Sequence, residues 1–222
     1  MHLMKRLHSL VPAVVLGAVL IAGLATAAPT VIAETDAGQT LATAQDLRTP
    51  SPYELLINGR LSNEPSSLDR IDMYRISVGH QSFLTWTTDD PGLVLADPVL
   101  YLFSSTGRGI AMDDESGGNG QAFMSLFLTS GLGDYFVAIA FAGMEPLDGL
   151  GNPIFDTFGS GAVLSADPLA DWLAADGLVP NDPGVLGAYS LNISVPTPGT
   201  LVLAGLALFG LARGRRKLVV AA

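Results

Sequence analysis

Along most of residues 53–195 the apolar positions recur with a period of two. "YRISV" sets Tyr74, Ile76 and Val78 against Arg75 and Ser77, and "FLTWTT" sets Leu84 and Trp86 against Thr85 and Thr87. "DYFVAIAF" carries Tyr135, Val137, Ile139 and Phe141 on one side and Phe136, Ala138 and Ala140 on the other. "AYSLNISV" alternates Tyr189, Leu191, Ile193 and Val195 with Ser190, Asn192 and Ser194. Successive side chains of an extended strand point to opposite faces, so each run predicts a half-buried strand. "PVLYLF" (98–103) is apolar on both sides and predicts a central strand covered on both faces. "YELLINGRL" (53–61) and "AFMSLFL" (122–128) supply two further strands. The runs are separated by turn chemistry: "VGHQS", "DDPG", "STGRG", "ESGGNG" and "SGLGD". The expected fold class is therefore all-β, an antiparallel sandwich or jelly roll of about eight strands.

Residues 143–187 interrupt the pattern. They are rich in Gly, Pro and Asp and lie between two well-marked strands. Within them "ADPLADWLAADG" offers Asp167 as an N-cap, Pro168 as the first helical residue and Gly177 as a stop. Leu169, Trp172 and Leu173 would form the apolar stripe of one short helix. The expectation is a long excursion packed on the sandwich, serving either a ligand or nothing beyond packing.

Both ends of the chain are apolar. At the start, Lys5 and Arg6 precede the apolar run 10–24, and "ATA" (25–27) gives the small residues of a cleavage site before Ala28. That order predicts a secretory signal peptide over residues 1–27. Near the other end, the apolar run 200–212 would span roughly 20 Å as a helix, against about 30 Å of hydrocarbon in a bilayer. It suits a transient anchor, and the basic cluster 213–217 would stay cytoplasmic.

The layout "VP-x-P", a small polar pair, a Leu/Ala/Gly run and an Arg-rich end resembles the PEP-CTERM sorting signal of Gram-negative bacteria. In this sequence Pro196, Thr197 and Pro198 occupy the motif, with Arg213, Arg215, Arg216 and Lys217 as the basic end. Thr197 stands where that family usually carries glutamate. The resemblance implies recognition by an exosortase, a transient stay in the inner membrane, and delivery to the cell surface or an exopolysaccharide matrix. The domain reading is then a signal peptide (1–27), a folded body (28–195) and a sorting tail (196–217).

Charge sharpens this picture. Of 11 Lys and Arg, six lie in the two ends, leaving Arg48, Arg60, Arg70, Arg75 and Arg108 against 21 acids in the body. The resulting formal charge of −16 on the body opposes binding to nucleic acid and to anionic membranes. It suits cations, cationic partners or plain solubility. The absence of cysteine removes disulfides, zinc–thiolate sites and cysteine nucleophiles.

The body also resembles a family in the order of its motifs. "ETDAGQTLATAQDL", "INGRL", "SLDRIDMYRISVGHQSFLTWTT", "ADPVLYLFSSTGRGIAMDDESGG" and "GDYFVAIAFAG" follow one another. This order is similar to that of the bacterial pre-peptidase C-terminal domain, over about residues 34–143 with 188–195 as a last strand. The resemblance implies a β-sandwich of the kind appended to secreted peptidases and also found without them.

Catalytic chemistry has little support. The body holds one histidine, His80, in the turn "VGHQS", and no zinc, nucleotide or nucleophile-elbow motif occurs. A hydrolase built on two carboxylates stays open on the abundance of acids alone. Calcium takes six to eight oxygens from carboxylates and carbonyls on irregular backbone. Glu34 and Asp36, before the first strand, and Asp69 and Asp72, entering "IDMYRI", form one candidate group. Calcium-binding relatives of the resembled domain use acids from these two regions. The other reading is that Asp69 and Asp72 cap a turn. A second group, Asp113, Asp114, Glu115 and Asn119 in "MDDESGGNG", has the composition of a calcium loop without its D-x-D-x-D-G order. Its other reading is an acidic hairpin tip. Trp86 is expected in the core, and Trp172 either on the surface or packed. "NIS" (192–194) matches a glycosylation acceptor and is read as strand sequence. The function expected is that of an exported, non-enzymatic structural or adhesive protein. A calcium-stabilised glycan- or peptide-binding module is the alternative.

Overall fold

Thirteen strands and no helix make up the described part of the computed structural model, residues 29–35, 37–48, 54–64, 67–78, 83–87, 97–117, 121–127, 133–157, 160–174 and 187–194. In chain order they are β1 (Thr30–Ala33), β2 (Gln45–Asp46), β3 (Glu54–Glu64), β4 (Ser67–Asp69), β5 (Ile71–Val78), β6 (Phe83–Thr87) and β7 (Pro98–Ser104). There follow β8 (Gly109–Asp113), β9 (Phe123–Phe127), β10 (Gly133–Phe141), β11 (Met144–Asp148), β12 (Leu169–Ala174) and β13 (Gly187–Ser194). One sheet runs β1-β3-β13-β6-β9 with β4 on β3; a second runs β2-β5-β10-β7-β8; β11 and β12 form a separate ribbon.

Register fixes which residues meet between the sheets. Val137 and Ile139 of β10 lie opposite Tyr74 and Asp72 of β5, and opposite Leu102 and Leu100 of β7. Residues directly opposite in an antiparallel pair share a face. Tyr189 of β13 bonds to both Tyr74 and Asp72, so this face looks at the first sheet. Tyr189, Leu191 and Ile193 of β13, with Leu55, Ile57 and Leu61 of β3, are the first sheet's share of one continuous core.

The second sheet is covered on its other face as well. There Tyr101 and Phe103 meet the excursion between β10 and β13. The ring of Phe155 lies 5.6 Å from Tyr101 and 5.7 Å from Phe103; that of Trp172 lies 5.4 Å and 6.2 Å from the same two rings. Tyr101–Phe155 is tilted and the other three pairs are edge-to-face, an arrangement that adds to the area they bury. The Tyr101 hydroxyl donates to the Met144 carbonyl at 2.6 Å. Opposite Phe103, Gly109 leaves room for the excursion: a Cβ there would lie 2.5 Å from Ile154 and 2.8 Å from the Phe155 ring.

The seven strands expected from sequence are all present as β3, β5, β6, β7, β9, β10 and β13, and β7 is buried on both faces as expected. Four expectations are corrected. The described strands number thirteen, not about eight, because β1, β2, β4, β8, β11 and β12 are short or lack clean alternation. The sheets are not purely antiparallel, since β1 on β3 and β2 on β5 are parallel. β5 and β10 are not half-buried but largely buried on both faces, because the excursion and the N-terminal segment cover the second sheet. The segment expected to be a helix is the strand β12. Its partner register steps from Leu147↔Asp171 to Asp148↔Leu169, leaving Ala170 as the extra residue of a β-bulge. The bulge puts Leu169 and Trp172, three apart, on the covered side, and this spacing imitates a helical stripe. Leu173, the third residue of that stripe, is 49% exposed.

These contacts set an unequal pair of costs. Phe155→Ala is expected to cost about 3–5 kcal/mol in urea denaturation through the cavity it opens. Leu173→Ala is expected to stay within about 0.5 kcal/mol, whereas a helix packed through 169, 172 and 173 would make both changes costly.

Candidate functional site

The densest polar arrangement in the core joins the two sheets. Strand alternation on β5 points Asp72 and Tyr74 the same way, and β13 brings Tyr189 across to them. Tyr189 lies opposite Gly59 of β3, where a Cβ would fall 2.2 Å from the tyrosine oxygen, so glycine is what lets the ring lie over that strand. The Tyr189 hydroxyl donates to Asp72 Oδ2 at 2.5 Å and is also bonded to the Tyr74 hydroxyl. A hydroxyl has one proton to give. With Tyr189 giving its proton to the carboxylate, Tyr74 must donate to Tyr189. Burial first, then the charge of Asp72, holds the Tyr74 hydroxyl well above its ordinary pKa. Burial again leads for Tyr189, followed by its neighbours Tyr74 and Asp72.

Three of the four acids of the first calcium group gather at this end of the molecule. Glu34 follows β1, with its N–H on the Asn58 carbonyl at 2.9 Å, and Asp69 ends β4 opposite Ser62. Both add to the negative field on the Tyr74 hydroxyl, alongside Asp72. Asp36 lies outside the described residues. Asp72 is fully buried, with Oδ2 engaged by Tyr189. Among the described residues no three acids stand close enough to hold a metal ion.

In the second acidic group, Asp113 Oδ2 accepts the N–H of Ser116 at 3.1 Å and of Phe123 at 2.8 Å, and Oδ1 accepts the Ser116 hydroxyl. This carboxylate ties the end of β8 to the start of β9, across the two sheets. Asp114 is half-buried, Glu115 is exposed, and Asn119 lies outside the described residues. His80, residues 1–27 and the tail residues Pro196, Thr197, Pro198, Arg213, Arg215, Arg216 and Lys217 lie outside them too. So does the side chain of Trp86, although its backbone is in β6. Trp172 is half-buried, and its indole N–H donates to the Gln39 carbonyl at 2.8 Å.

Two polar clusters were not foreseen. Arg48 binds both Asp46 and Asp134, and Arg75 joins Asp134 at 2.6 Å while lying over the Phe136 ring at 5.7 Å. Bonding to Arg48 holds Asp46 far below the usual carboxylate range. Asp134 is raised by burial and lowered by Arg75 and Arg48, and the arginines prevail. The network pins β2 to the second sheet. Pairs this exposed are individually weak, but a shared network is firmer. The second cluster centres on Asp148. It accepts the N–H groups of Leu150 at 2.8 Å and Asn152 at 2.9 Å, and the Ser165 hydroxyl at 2.7 Å. The Asn152 N–H, then the Ser165 hydroxyl, hold this carboxyl at about 2. "DGLGN" (148–152) carries the turn composition that could have marked it.

Removing one partner of the inter-sheet chain has unequal consequences. Tyr189→Phe strips the buried carboxylate of a donor and is expected to cost about 1–3 kcal/mol, and Tyr74→Phe about 1 kcal/mol. Asp72→Ala should lower the melting temperature equally in calcium and in chelator. The tyrosines are held neutral by the fold, so their contribution is complete below the ordinary pKa of 10.0 and is lost as pH rises above it. Denaturation curves recorded across that range should show an alkaline loss that is smaller in the double Phe variant, where buried Tyr101, also raised by burial, accounts for what remains.

No family model matches the chain, and no curated protein matches it. Among solved structures, the chain is similar to the pre-peptidase C-terminal domain of a collagenase from Bacillus anthracis, at 10% identity and a TM-score of 0.33, over 77% of this chain and 98% of that one. A likeness of that size carries no argument about fold or function.

Proposed function

We propose that the chain is an exported, non-enzymatic β-sandwich protein of the cell surface or extracellular matrix of a Gram-negative bacterium. It is freed of an N-terminal signal peptide, parked in the inner membrane by its C-terminal tail, and processed there by an exosortase. The observation that carries this reading is the place of the fold between two processing signals. β1 begins at Thr30, just past the expected cut before Ala28, and β13 ends at Ser194, just ahead of Pro196. Both cuts would therefore spare every described strand. The basic end of the tail favours a cytoplasmic anchor with the acidic body outside.

The use of the acids supports a structural role. Asp46 and Asp134 are engaged by arginines, Asp113 and Asp148 by backbone N–H groups, and Asp72 by Tyr189. The affinity with pre-peptidase C-terminal domains rests on the order of motifs. Within that order the stretch "DRIDMY" (69–74) has a physical use in this chain, since Asp72 and Tyr74 are two members of the inter-sheet hydrogen-bond chain.

Mass spectrometry of the mature protein tests the proposal. The expected product starts at Ala28, ends near residues 196–198, and is found in the surface or secreted fraction. A protein that keeps its tail through residue 217 and stays in the membrane fraction overturns it. Thr197→Glu, which restores the residue usual in the resembled signal, should raise the processed fraction.

A further inference from the structure

Asp97, the residue before β7, breaks two backbone rules at once. Its φ is +59°, and no other non-glycine residue among those described has a positive φ. That region crowds a side chain against the backbone and is normally left to glycine, with aspartate and asparagine as tolerated exceptions. The next residue is Pro98, whose ring pushes its predecessor towards extended backbone. The surroundings hold the conformation in place. Ala142 N–H donates to the Asp97 carbonyl at 3.0 Å, and Pro98 is fixed opposite Phe141 in the β7–β10 ladder. Backbone outliers held in this way concentrate where chemistry takes place.

We propose that the Asp97–Pro98 peptide bond is a self-cleavage site. The side-chain carboxyl of Asp97 can close a five-membered ring on its own main-chain carbonyl carbon. Its oxygen adds to that carbon, its proton passes to the Pro98 nitrogen, and the C–N bond breaks. The products are a cyclic anhydride on Asp97 and a free secondary amine on Pro98. Water then opens the anhydride to two carboxyl groups, so the net change is hydrolysis of one peptide bond. The Ala142 N–H stands on the oxygen where negative charge gathers as the ring closes. The step needs a protonated carboxyl. Asp97 is exposed as a residue, yet partial burial of its carboxyl and then the charge of Asp114 raise its pKa. Among the described residues, Asp114, just past β8, is the charge that acts on Asp97, and the Arg70 carbonyl takes the Phe141 N–H beside Pro98.

Cleavage would divide the chain without dividing the fold. β13 of the second half lies between β3 and β6 of the first, and β10 lies against β5. Asp167–Pro168, the same dipeptide with a negative φ, serves as an internal comparison.

The test holds the purified chain for days at about pH 4–6, near the carboxyl range, and reads the fragments by mass spectrometry. Fragments ending at Asp97 and starting at Pro98 should form at least about tenfold faster than those from Asp167–Pro168, a ratio equivalent to about 1.4 kcal/mol of barrier. Urea should remove the difference. Asp97→Gly tolerates the left-handed backbone without a carboxyl and should give no cut at this bond. Equal rates at the two bonds, an unchanged rate in urea, or no cleavage at Asp97 overturns the proposal.

Discussion

The second sheet must be covered twice, and most of the architecture follows from that constraint. β7 and β10 carry large apolar side chains in both directions, so packing against the first sheet satisfies only half of their surface. Apolar area left in water forgoes about 25 cal/mol per Å². The β10–β13 excursion supplies the missing layer with Ile154, Phe155, Leu169 and Trp172. The N-terminal segment extends it, with Ala37 and Leu47 buried and the Gln39 carbonyl on the Trp172 indole. Such a loop is long because it has a sheet to cover, and its Gly, Pro and Asp content bends it to that surface.

Between the sheets the core is not uniformly apolar. A carboxylate and two hydroxyls stand among leucines and isoleucines, each with a partner that the fold brings from a different strand. Burying a charge is costly unless its hydrogen bonds are met, and a met network favours one arrangement over its near neighbours. Sliding β13 by one residue would turn Tyr189 away from Asp72 and expose every apolar side chain of that strand. Gly59 belongs to the same arrangement, because only a residue without a side chain admits the tyrosine above it.

Much of this was legible in the sequence, and the limits were physical. Alternating and continuous apolar runs located seven of the described strands, and the two-sided apolar run at 98–103 marked a doubly covered strand. Alternation could not reveal two-residue β2 or the parallel pairing of β1, which depend on what lies beside them. The false helix arose from one inserted residue. Ala170 shifts the phase of β12, and Ala, Leu and Asp at that spacing read as a capped helix until a partner strand is present. Among candidate site residues, Asp72 was singled out as an acid entering β5, but its partners Tyr74 and Tyr189 were legible only as positions of an apolar alternation. The Asp46–Arg48–Asp134–Arg75 network joins residues far apart in sequence, and no local spacing announces it.

The strand order has a bearing on how the body comes to be folded. β13 is the last of the described strands, yet it occupies the middle of the first sheet, between β3 and β6. Its two neighbours are synthesised long before it, and they have no hydrogen-bonding partner in common until it arrives. Contacts of such sequence separation close slowly, because most of the chain must be ordered before they form. The first sheet therefore has an open centre until the eight-residue β13 has been made, and that strand is what closes it.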